Sequence, residues 1–62
     1  MHEANEVIDG LWKIRQEADT KRVCLFYCGK VVAQTYRESL LQFEDLRWLL
    51  ITMRNEVKSE EE

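Results

Sequence analysis

Apolar residues fall along this chain in three successive rhythms. In the first, Ala4, Val7, Ile8, Leu11, Trp12 and Ala18 recur at intervals of three and four, while Lys13, Gln16 and Glu17 lie elsewhere on the wheel. That spacing predicts an amphipathic helix over residues 4–18, fraying near Asp19-Thr20. Gly10 falls inside it at a cost of about 1 kcal/mol relative to Ala, and is read as tolerated there rather than as a point of close backbone approach.

The rhythm then shortens. Two arms rich in β-branched and aromatic residues flank Cys28-Gly29-Lys30 and predict a β-hairpin over 21–37, with Gly29 supplying the positive φ of a tight turn. A turn at Cys28-Gly29 pairs Tyr27 with Lys30, and a turn at Gly29-Lys30 pairs Cys28 with Val31. Either register gives one face of Val23, Leu25, Tyr27, Val32, Gln34 and Tyr36 and another of Cys24, Phe26, Cys28, Val31, Ala33 and Thr35. Neither face is polar, so the ribbon is expected to be covered on both sides, by the chain's own helices and by a second chain.

The third rhythm is helical again. Ser39-Leu40-Leu41-Gln42 fits a capping box, with Glu44 and Asp45 toward the positive end of the helix dipole and Arg54 and Lys58 toward its negative end. A helix over 40–57 follows, with a seam of Phe43, Leu46, Leu50, Met53 and Val57. Leu41, Trp48, Leu49 and Ile51 lie outside that seam, which implies burial on more than one side. A strand over 48–53 is the competing reading, and the caps and seam favour the helix. The expected fold is thus α+β: one small domain over 1–58, ordered helix, β-hairpin, long helix (α-β-β-α), with a frayed acidic tail over 59–62.

Length sharpens this picture. Folding a chain of 62 residues and 7.5 kDa removes roughly 6,600 Å² from water, a little over half of it apolar. This stabilises by about 90 kcal/mol, and ordering the chain costs about the same. Two cysteines give no disulfide framework, so a partner subunit or unusually dense packing has to make up the difference, and a homodimer is expected. The longest apolar run is Trp48-Leu49-Leu50-Ile51, far below the roughly 20 residues of a membrane-spanning helix. The first six residues carry acids where a secretion signal carries bases, so the expected location is cytoplasmic. The net charge of −3 comes from the tail: removing Glu60, Glu61 and Glu62 from twelve acids leaves nine, against nine bases.

Catalytic chemistry finds little support. His2 is the lone histidine, Ser39 and Thr35 have no base in any readable motif, and the two glycines form no phosphate loop. Neither an enzyme activity nor a cofactor is expected. Cys24 and Cys28 sit four positions apart, about 13 Å in a strand against the 7 Å limit of a disulfide, and zinc needs four ligands. Both thiols therefore read as small buried hydrophobes, with no metal.

The leading functional expectation is a small non-enzymatic regulator, inhibitor or adaptor that dimerises and binds a protein partner through apolar and aromatic surface. Its interface candidates are Phe26, Tyr27, Val31, Tyr36, Trp48, Leu49, Ile51 and Met53. The alternative is a dimeric nucleic-acid-binding regulator using Lys21, Arg22 and Arg37 at the open end of the hairpin, beside Tyr36. The even charge balance of residues 1–58 favours the first.

Overall fold

The segment around Gly10 turns the chain back on itself. In the computed structural model, which describes residues 4–60 and the side chains of 5–59, β1 (Ala4–Asp9) and β2 (Trp12–Glu17) form an antiparallel hairpin. The helix expected over 4–18 does not form. Gly10 adopts φ 63° while Leu11 stays at negative φ, as a two-residue turn with Gly in the first central position requires. The residues that mimicked a helical stripe lie on both sides of this hairpin: Val7 and Trp12 face inward, Ile8 faces outward and Leu11 sits on the turn.

The hairpin expected over 21–37 does form, as β3 (Arg22–Tyr27) and β4 (Lys30–Tyr36). Cys28 and Gly29 occupy its turn at φ 51° and 81°, and Tyr27 pairs with Lys30. A bulge changes the faces, however. Phe26 lies opposite Val31 and Leu25 opposite Ala33, so Val32 is the extra residue. Past it the alternation slips by one position. Ala33 and Thr35 join Val23 and Leu25 on the inner face, whereas Gln34 and Tyr36 join Cys24 and Arg22 on the outer one.

The four strands make a meander in the order β1-β2-β3-β4, followed by α1 (Phe43–Glu60). The architecture is α+β, and among the described residues the one helix comes last, which corrects the helix-first order. Among the described residues, no helix is long and apolar enough to cross a membrane.

Helix α1 covers one face of the sheet. Ile14, Val23 and Leu25 meet Leu46, Leu50 and Met53 there to form the core, with Val57 and Leu49 at its margin. Phe43, the first residue of the expected seam, remains exposed. The helix starts three residues later than expected, with the Leu46 N–H donating to the Gln42 carbonyl. Ser39 is therefore not its cap. Helical backbone continues to Glu60, into the expected tail, while His2, Glu61 and Glu62 lie outside the described residues.

Gln16 explains where the 37–42 connection goes. Its side chain is fully buried: Nε2 donates to the carbonyls of Ser39 (3.0 Å) and Lys21 (3.4 Å), and Oε1 accepts from the Leu41 N–H (2.7 Å). Asn5 Nδ2 donates to the Leu41 carbonyl at 3.0 Å. These bonds satisfy the connection's backbone where water is excluded and set the point from which α1 crosses the sheet. Among the described residues, no element covers the opposite face of the sheet.

Candidate functional site

Both two-residue turns lie at one end of the sheet. They are joined by a bond from the Cys28 N–H to the Leu11 carbonyl at 3.1 Å. Register then dictates which side chains gather there. On the outer face Ile8, Lys13, Phe26 and Val31 stand in one cross-strand row, and on the inner face Trp12 neighbours Tyr27. The Trp12 and Tyr27 rings are 4.6 Å apart at 46°. With Val32, Val57 and Lys58 they line a hollow of about 250 Å³ where the core opens to solvent.

Here apolar surface is left uncovered. Ile8 is 68% exposed and Leu11 62%, and Tyr27, Val31 and Val32 are exposed as well. These are five of the nine exposed large hydrophobic residues among those described, Ile8 and Val31 on the outer face and Tyr27 and Val32 beside the inner hollow. Lys13 Nζ lies 4.5 Å over the Phe26 ring, a cation–π contact that partly shields the aromatic face.

Further along the outer face the charges neutralise one another. Glu6 Oε2 meets Arg15 Nη1 at 3.4 Å and Lys13 Nζ at 3.8 Å, and Arg15 Nε meets Glu17 Oε1 at 3.0 Å. Each group is more than a third exposed or close to it, so these pairs contribute little stability. They do remove free positive charge from the middle of the sheet.

At the far end the backbones of Lys21, Arg22 and Arg37 lie near one another. Arg22 pairs with Tyr36 in register, and the Arg37 N–H donates to the Lys21 carbonyl at 3.3 Å. Arg37 Nη1 also donates to Thr35 Oγ1 (3.2 Å) and to the Tyr36 carbonyl (2.9 Å). Glu17 and Asp19 line a hollow with Arg22, so this end carries both signs.

The helix presents a separate surface. Trp48 is 68% exposed, and Glu44, Arg47, Trp48 and Ile51 line a hollow of about 340 Å³. A groove of about 470 Å³ between α1 and β1 shares Arg47 and Ile51 with it, and is closed at the turn end by an Arg54–Asp9 ion pair of 2.9 Å.

The eight residues singled out from sequence thus divide. Phe26, Tyr27 and Val31 lie at the turn end, Trp48 and Ile51 on the helix flank, and Tyr36 at the far end of the sheet. Met53 is a buried core residue and Leu49 is half-buried toward β4, so Met53 has no surface to offer a partner. The thiols divide too. Cys24 is half-buried on the outer face, but Cys28 is exposed at the turn, contrary to the expectation that both fill buried space. Ile8, Leu11, Trp12 and Val32 belong to the turn end and were missed. The available signal was the alternation Trp12-Lys13-Ile14-Arg15 directly after Gly10-Leu11.

No protein family, no curated protein and no solved structure matches this chain.

Proposed function

We propose that this is a non-enzymatic protein-binding module, a regulator, inhibitor or adaptor, that acts as a homodimer in the cytoplasm and seats its partner on the turn end of the sheet. One observation carries this reading: Ile8, Leu11, Tyr27, Val31 and Val32 converge, exposed, around two turns held together by a backbone bond. Apolar surface that wraps from the outer face (Ile8, Val31) around the turns to the inner face (Tyr27, Val32), over a well-hydrogen-bonded scaffold, supports docking with small ordering cost. The Trp12–Tyr27 pair beneath it is the kind of aromatic anchor that dominates interface energetics. Dimerisation is supported by the free edge that β1 presents at one end of the strand order and by the sheet face that no described element covers.

The second reading, a nucleic-acid-binding regulator, draws on Lys21, Arg22 and Arg37 around Tyr36. It has less support because Glu17 and Asp19 share that end and Lys13 and Arg15 of the sheet are paired with acids. Affinity capture with the full chain and with its Leu11→Glu/Val31→Glu variant separates the two. Protein docking at the turn end predicts a protein retained at high salt by the first and lost by the second. Recovery of nucleic acid by both, falling steeply with salt, contradicts it.

A further inference from the structure

The sheet has two edges, and the chain treats them differently. β4 is blunted by its bulge at Val32, a common guard against edge-to-edge pairing. β1 is a regular six-residue strand without bulge or proline. The two-residue turn fixes Asp9–Trp12 as a hydrogen-bonded pair, so by antiparallel alternation Ala4, Glu6 and Ile8 direct their N–H and C=O groups to the open edge. Beside that edge runs the groove under α1, lined by Val7, Arg47 and Ile51, with Trp48 above it.

We infer that β1 pairs antiparallel with β1 of a second copy about a two-fold axis near Val7, forming a continuous eight-stranded sheet with both helices on one face. Three features select a second copy as the occupant. A two-fold at Val7 sets Glu6 of each copy beside Ile8 of the other, in a hydrogen-bonded position, and keeps the two Glu6 carboxylates from facing each other. The helix flank above β1 carries an acid, Glu44, at one end and the bases Arg47 and Arg54 beyond it, Arg54 already sharing Asp9 at 2.9 Å, with Ile51 between them. Laid antiparallel across the axis, the flanks bring Glu44 of each copy toward the basic half of the other, with Ile51 and Trp48 gaining apolar neighbours. Last, Val7 and Ile51 already line one continuous hollow beside the open edge, so the strand and helix contacts form a single isologous surface.

This inference rests on the homodimer proposed above and specifies how it is built. It places Ile8 at the seam between the copies and leaves Leu11, Tyr27, Val31 and Val32 of the turn end free for a partner. Sedimentation of the full chain tests it: the dimer runs at about 15 kDa, twice the 7.5 kDa chain. Glu6→Pro removes an outward N–H and none inside the sheet, and Trp48→Glu changes a side chain outside the core. Each is expected to weaken dimerisation at least tenfold while circular dichroism retains the native strand and helix signal. Leu11→Glu is expected to stay dimeric. In a Cys24→Ser/Cys28→Ser background, Val7→Cys is expected to give a covalent dimer on mild oxidation, since directly opposed residues at a non-hydrogen-bonded site suit disulfide geometry, and Val31→Cys is expected not to. A wild-type monomer would overturn both this inference and the homodimer. A dimer that survives both Glu6→Pro and Trp48→Glu, or cross-links through Val31→Cys instead of Val7→Cys, would overturn the β1 assembly alone.

Discussion

Cys28 donates its backbone N–H to the carbonyl of Leu11 at 3.1 Å, and this bond makes one rim of two hairpin turns that are 17 residues apart in the chain. Everything proposed for the turn end depends on that rim. Cys28 holds its position at φ 51°, a conformation costing a non-glycine residue roughly 1–2 kcal/mol. Asparagine accepts it more readily and forms, with Gly29, the favoured pair for this turn. Because the thiol is exposed, Cys28→Asn is expected to stabilise the fold by about 0.5–1 kcal/mol, read as a rise in the urea midpoint at unchanged slope. A fall in the midpoint contradicts the turn assignment.

The two glycines give a paired test. A Cβ at either position would meet no atom within 4 Å, yet both glycines have positive φ, 63° at Gly10 and 81° at Gly29. A substitution at either therefore acts through backbone conformation and not through a clash. Gly10→Val and Gly29→Val are each expected to lose about 2 kcal/mol or more, β-branching adding to the left-handed penalty. Lys30→Ala is expected to be nearly silent. A tolerated Gly10→Val would argue against the first hairpin.

Gln16 is the polar group on which the 37–42 connection depends. Gln16→Leu keeps the volume but strands the Leu41 N–H and the Ser39 carbonyl, at about 1–3 kcal/mol for each group left unpaired. Gln16→Glu retains an acceptor for Leu41 and loses the donor to Ser39. Chemical denaturation should rank wild type above both variants, and hydrogen exchange at Leu41 should accelerate most in Gln16→Leu. Equal protection of that amide in all three proteins would show that the clamp is dispensable.

How much of this was legible in the sequence differs from segment to segment. The second hairpin was, because Gly29 lies between two arms of plain β character, and the long helix was, because Leu46, Leu50, Met53 and Val57 repeat its period. The first hairpin was not. Ile8 and Leu11 are apolar residues on the surface, and their accidental spacing from Val7 and Trp12 reads as one buried helical stripe. Ile14, the fully buried apolar residue of β2, falls off that stripe, and Gln16 has the pattern of polar surface because a buried glutamine has no local signature. The bulge at Val32 was equally silent, since one extra residue shifts Gln34 and Tyr36 to the other face without altering composition. The hidden first hairpin and the candidate site share a cause: apolar residues kept on the surface around Gly10 obscure the fold and form the proposed docking rim.

Core packing supplies a further stability test. Leu50 is 1% exposed between the sheet and α1, so Leu50→Ala is expected to cost roughly 2–5 kcal/mol, most of what so small a domain has. Thermal unfolding should show a large fraction of molecules unfolded at about 37 °C, since a loss of that size approaches the whole margin. Trp48→Ala, on the outward side of the same helix, should shift the monomer's stability little.

Site-specific photo-cross-linking tests the docking rim most directly. A photoreactive residue is placed at Leu11, and in a second protein at Glu56 on the exposed side of α1 toward β4; both are exposed to the partner-containing extract under native conditions. The proposed docking site predicts one discrete protein adduct from position 11, suppressed by adding Val31→Glu, and none of comparable yield from position 56. No adduct at position 11, or the same adducts from both positions, would contradict it.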